Sequence, residues 1–114
     1  MRDDKTYIVD IYRAARRIQD FTAGLTEEAF GKSELHQSAV IREFQVIGEA
    51  ARVISQATKA AYPAIEWTRM IGLRHILVHE YFHIEYDILW KTVKNDLEPL
   101  IAQIEPLILS EHNE

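Results

Sequence analysis

The sequence predicts an all-α fold, an antiparallel bundle of four main helices plus a short one. Three observations predict it. Apolar residues recur three and four positions apart over most of the chain. The four Gly and three Pro are few and fall where helices begin, end or bend. No alternating apolar and polar run of useful length is present. At 114 residues the chain is expected to form one domain, 1–114, with a core large enough to fold alone.

The elements follow in order. Ile8, Ile11, Tyr12, Ala15, Ile18 and Phe21 define an amphipathic helix over about residues 4–22, which Gly24 is placed to end. Thr26, followed by Glu27 and Glu28, reads as the cap of a short helix to about Gly31. Ser33 caps the next segment with Glu34 in its first turn. There Val40, Phe44, Ile47, Ala51 and Ile54 form a narrow seam along one long helix over about residues 34–60. Gly48 within it suits a close helix–helix approach. Tyr62-Pro63-Ala64 breaks the pattern, and a third main helix begins near Trp67 or Thr68 with Met70, Leu73, Leu77 and Tyr81 on one face. The last pattern runs from Ile84 through Ile88, Leu89, Val93, Leu97 and Ile101 to Ile108. Pro99 and Pro106 fall inside it, so a break or kink is expected near Glu98.

Charge narrows the function. Thirteen Lys and Arg against eighteen Asp and Glu give a formal net charge of −5. That argues against coating nucleic acid by bulk electrostatics and leaves a local basic site open. The imbalance lies in residues 81–114, with seven acids and two bases, so a polyanion must approach elsewhere. Without Cys there is no disulfide framework, thiolate metal site or Cys nucleophile. No apolar run approaches the ~20 residues that span a bilayer. The start Met1-Arg2-Asp3-Asp4-Lys5 does not read as a signal peptide. The expectation is a soluble, cytoplasmic domain without a cofactor or a membrane partner.

Chemistry concentrates in Arg74-His75-Ile76-Leu77-Val78-His79-Glu80-Tyr81-Phe82-His83. A permanent cation, three imidazoles that titrate near neutrality and a phenol lie together. One reading is a metal site, because His75, His79 and His83 are four apart and share a face of an unbroken helix. The array is about 12 Å long, too long for all three rings to reach one ion comfortably. The other reading is phosphoryl chemistry on RNA. Metal-free cleavage needs a base for the 2′-OH, an acid for the leaving 5′ oxygen and a cation for the charge building on phosphorus. His79 has the intrinsic pKa for acid or base, and Arg74 offers a planar donor fork that fits phosphate. On a regular helix the two lie about 140° apart, whereas Arg74 and Tyr81 line up. A long Arg side chain, a helix ending near His79 or a second copy of the chain across a two-fold axis resolves that geometry. Because one such helix offers few acid–base groups, a dimeric cleft pooling two His and two Arg is chemically favoured over a monomer.

Arg74-x4-His79-x-Tyr81 resembles the R-x4-H-x-Y signature of the HepT-like toxins, a branch of the HEPN ribonucleases. Ala39-Val40-Ile41-Arg42, Ile47-Gly48-Glu49-Ala50-Ala51, Tyr62-Pro63 and Trp67 extend the resemblance over most of the chain, as do Ile71-Gly72-Leu73-Arg74 and Lys94-Asn95-Asp96-Leu97. The resemblance implies a HEPN-like helical bundle that dimerises and cuts RNA, tRNA or mRNA, as a metal-independent endoribonuclease toxin. It implies Arg74 and His79 as the catalytic pair. It also implies Tyr81 as the acceptor of AMP from an antitoxin partner, an MntA-like minimal nucleotidyltransferase. His75 stands where that family commonly carries Asn, and it and Arg42 are auxiliary candidates in the cleft. Trp67 is expected to pack at its helix start rather than to stack a base. A second reading stays open: a weakly catalytic or non-catalytic binding partner of such a nucleotidyltransferase.

Overall fold

Capping chemistry local to the sequence sets most of the helix starts. The computed structural model describes residues 3–72 and 86–112, with side chains through residue 109. Helix α1 spans Asp4–Thr22, and the Asp3 carboxylate accepts the Thr6 N–H at its start. The chain leaves it through Gly24, whose φ of 78° lies in the left-handed region that favours glycine. Helix α2, Glu27–Gly31, starts on Thr26, whose hydroxyl accepts the Ala29 N–H at 3.0 Å. Ser33 opens α3, Glu34–Val53, in the same manner, accepting the His36 N–H. These bonds satisfy donors that every helix leaves open in its first turn.

The long helix expected to about residue 60 is shorter. Ile54 turns extended, with φ −63° and ψ 141°, and Ser55 caps a separate helix α4, Gln56–Ala61. The cause lies at the far end of the chain. The Asp4 carboxylate accepts the Ser55 N–H at 3.1 Å, the Ser55 hydroxyl at 2.5 Å and the Thr58 hydroxyl at 2.6 Å. That set of bonds rewards the interruption, and Ile54 stays buried despite it. After a turn at 62–66, residues 67–72 are helical (α5), and α6 runs Tyr86–His112.

A second correction concerns α6, which contains Pro99 and Pro106 and does not break near Glu98. Each proline removes one backbone donor. Leu97, Ile101 and Ile104 are all buried and hold the helix against the core across Pro99. Packing of an apolar face, rather than local propensity, carries most helical stability in a folded domain.

The core forms where α1 packs against α3 and α6, with α2 against the same two helices. Ile11, Ala14, Ala15 and Ile18 of α1 are fully buried, as are Val40 and Ala51 of α3 and Ile104 of α6. Phe30 of α2 is also fully buried, with its ring centroid 5.1 Å from that of Trp90. Two residues placed on apolar faces by spacing instead face outward: Phe21 is 36% exposed and Ile88 59%. The described residues contain helices and no strand, the all-α architecture that the periodicity predicts. None of the described helices is long and apolar enough to cross a membrane.

Candidate active site

The residues expected to carry the chemistry, Arg74, His75, His79 and Tyr81, lie outside the described residues, as do His83, Leu73 and Leu77. What the structure defines is the frame on either side of them. On the entering side, Ile65, Trp67 and Met70 are buried. The Trp67 indole N–H donates to the Tyr62 carbonyl at 3.1 Å, closing the 62–66 turn beneath the start of α5. Trp67 is thus a packing residue, as the sequence suggested. Met70 is four residues from Arg74, so their Cα atoms are at most about 14 Å apart. On the leaving side, Tyr86 packs on Gly31, while Leu89 and Trp90 are buried. The described residues on either side of 73–85 are therefore anchored in the core.

Between α3, α5 and α6 the described residues enclose a cleft of about 290 Å³. Its floor is apolar, with Phe44 and Ile47 from α3, Met70 from α5 and Leu97 from α6. Its rim is polar. The Arg69 guanidinium reaches from α5 to the Asp96 carboxylate on α6 at 2.9 Å, with Glu66 at 3.9 Å on its other side. Gln103 on α6 donates to the Ala64 carbonyl at 3.1 Å, tying the 62–66 turn across the mouth. Asn95 and Asp96, within the Lys94-Asn95-Asp96-Leu97 block, line this cleft, and spacing alone assigned them no role. Their signal in the sequence is only that polar residues follow the buried Val93 on a helix that otherwise packs.

Arg42 is elsewhere. It is exposed on α3 beside a shallow depression of about 300 Å³ that Tyr7, Asp10 and Glu49 also line. Arg42 makes no ion pair among the described residues, where Arg17 pairs with Glu43 and Arg52 with Glu49. The Arg52 guanidinium is held above its ordinary pKa by the Glu49 carboxylate that accepts its hydrogen bonds. Arg42 and Arg69 line two depressions that share no residue. Among the described residues no cluster of three His, Asp or Glu is placed to hold a metal ion. The three motif histidines of the metal reading lie outside that set.

An all-α bundle that carries an Arg, His and Tyr motif between two core-anchored helices defines a class, the helical ribonucleases of HEPN type. A family model described as "Ribonuclease HepT-like" matches residues 11–107, nearly the whole chain. A curated relative from Methanocaldococcus jannaschii, named "Putative RNase MJ1380", is 38% identical over 104 residues, 91% of this chain and 95% of the relative. Another, named "Probable ribonuclease HepT", from Thermococcus cleftensis, is 39% identical over 106 residues, 93% of this chain and 96% of the relative. No solved structure matches the chain. The chain belongs to the HepT-like ribonuclease family, and its enzymatic class is that of an RNase acting on RNA.

Proposed function

We propose that this ribonuclease is the toxin of a toxin–antitoxin pair and cuts tRNA or mRNA as a metal-independent endonuclease. The observation that carries the reading is Arg74-x4-His79-x-Tyr81 inside the residues that the family model matches. In the reaction the RNA 2′ oxygen attacks the adjacent phosphorus and the bond to the 5′ oxygen breaks. His79 takes the proton from the 2′-OH or delivers one to the departing 5′ oxygen. Arg74 supplies a fixed, planar cation to the phosphorane as its equatorial oxygens gain charge. His75 adds a further hydrogen-bond donor toward the phosphate, and Arg42, exposed on α3, adds long-range attraction for the RNA.

The working unit is a homodimer. On a regular helix Arg74 and His79 would lie about 140° apart, and one such helix would offer few acid–base groups. Two copies facing across a two-fold axis supply two of each and let base and acid come from different protomers. Control by an MntA-like nucleotidyltransferase antitoxin is what the family resemblance implies, with Tyr81, two residues from His79, as the acceptor. Each AMP placed on its phenol oxygen adds a negative charge and bulk at the site, repelling the RNA phosphate.

The test is cleavage of total RNA by purified protein in excess EDTA, after intact-mass measurement shows Tyr81 unmodified. Wild type cuts, and His79→Ala does not. Intact RNA after incubation with verified unmodified wild type overturns the proposal.

A further inference from the structure

We infer that the outward face of α6 is a seam on which two copies of this chain pack, antiparallel, about a two-fold axis beside Pro99. The inference rests on the homodimer proposed above and names the surfaces that meet. Ile88, Thr92, Asn95, Pro99, Ala102 and Pro106 follow one another at alternating steps of four and three, and Leu109 extends the series. That alternation is the 3.5-residue spacing of a coiled-coil seam. The same helix turns Leu89, Val93, Leu97, Ile101 and Ile104 into the core, so the seam lies on the opposite side. A surface helix of a lone bundle carries charge there. Here Ile88 and Leu109 stand 59% and 55% exposed, Asn95, Pro99, Ala102 and Pro106 are exposed between them, and no charged residue interrupts the series.

Three features select a second copy of α6 as the occupant. The first is size. Large apolar side chains stand at the two ends of the seam and smaller ones between, so the series matches itself when reversed. Antiparallel packing sets Ile88 opposite Leu109 of the second copy, Thr92 opposite Pro106, Asn95 opposite Ala102, and Pro99 opposite its own counterpart. A two-fold interface requires such self-complementarity. The second feature is charge along the flanks. Lys91 of each copy comes beside Glu105 of the other, and Glu105 keeps its charge while accepting the Tyr12 hydroxyl. On the same flank Glu98 meets its own counterpart, so two attractive pairs stand against one repulsive one. On the other flank Asp96, already paired with Arg69, comes beside the neutral Gln103. The third feature is the backbone. Pro106 has no N–H to return to the Ala102 carbonyl one turn earlier. The Asn95 amide, opposite Ala102 of the second copy, supplies a donor toward that carbonyl, and one polar contact of this kind fixes the register of a seam.

The chain has no Cys, so engineered disulfides report the pairing directly. Full-length Ile88→Cys and Leu109→Cys chains, coexpressed and then oxidised, are expected to form a covalent mixed dimer. Either variant alone is expected to form none, because the two copies of one position lie about 32 Å apart along the antiparallel pair. Ala102→Glu, at an exposed position, is expected to keep the circular dichroism spectrum of wild type. It should raise the dimer dissociation constant at least about tenfold by sedimentation equilibrium, the effect of a carboxylate buried in the seam. A cross-link of either Cys variant with itself, or a dimer that gives no mixed cross-link, overturns the seam and leaves the homodimer reading standing on another face. A dimer that Ala102→Glu leaves as tight as wild type does the same. Wild type that stays monomeric overturns both.

Discussion

Gly31, the last residue of α2, and Tyr86, the first of α6, approach so closely that no side chain fits between them. A Cβ built on Gly31 would lie 2.6 Å from Tyr86 Cε2 and 2.8 Å from Cζ. Gly31 does not have a positive φ, so the glycine is required here by proximity and not by backbone conformation. The contact fixes where the chain enters α6, five residues beyond Tyr81.

Gly31→Ala is therefore expected to destabilise the fold by about 1 kcal/mol, the lower end of the overpacking range, because Tyr86 is 42% exposed and can swing partly aside. Helix propensity alone favours alanine, so the sign of the change separates the two effects. Urea unfolding of Gly31→Ala in the wild-type and Tyr86→Ala backgrounds measures the coupling. The penalty should vanish once the ring is gone. An unchanged unfolding midpoint for the single variant contradicts the contact.

Asp4 joins α1 to α4 through bonds that need its charge. The Ser55 and then the Thr58 hydroxyl hold its carboxyl below the ordinary value of 3.8, with the Ser55 N–H contributing further. A carboxyl depressed in the folded state adds stability above its unfolded pKa and loses it as pH falls through the folded one. Wild type is thus expected to be more stable than Asp4→Asn near neutral pH, with the gap closing only below about pH 4. Thermal unfolding of both proteins across that range checks it, and a gap independent of pH would count against the charge-assisted bonds.

These two relationships show which parts of the molecule local sequence could reveal. Thr26 and Ser33 were legible as helix starts because their partners, Ala29 and His36, are three residues away. Ser55 is the same kind of cap, yet its decisive partner Asp4 lies 51 residues earlier, and the apolar seam runs through Ile54 without a gap. Pro99 misled for the opposite reason: a local breaker was overruled by buried Leu97 and Ile101 on either side. The catalytic candidates were readable as residue types at fixed spacing, whereas the cleft was not. Phe44, Met70 and Asn95 come from three helices and meet only in the fold.

Tyr81 offers a direct test of the proposed control. Incubation with a cognate nucleotidyltransferase and ATP is expected to add AMP to the wild-type protein and abolish RNA cleavage. Tyr81→Phe should show no mass gain and keep cutting, since phenylalanine has no oxygen to accept the group. Mass gain on Tyr81→Phe places the modification on another residue and breaks the link between Tyr81 and inhibition.

Binding to RNA should separate the two arginines that the fold has placed apart. Each phosphate neutralised by a cation releases condensed counterions, so log affinity falls with log salt by about 0.7 per contact on single strands. Arg69 already faces Asp96 at 2.9 Å and Glu66 beyond, and a guanidinium so compensated adds little attraction for phosphate. Arg42 is exposed and has no ion pair among the described residues. Measured on a catalytically inactive His79→Ala protein, the salt dependence of RNA binding should be steep for so acidic a chain. Adding Arg42→Gln should lower the slope by about 0.7. Adding Arg69→Gln should leave the slope in place, because that guanidinium is already compensated by Asp96 and Glu66. Equal slopes for both variants would remove Arg42 from the RNA-binding face, and a loss confined to Arg69→Gln would turn the α5–α6 cleft into a phosphate site.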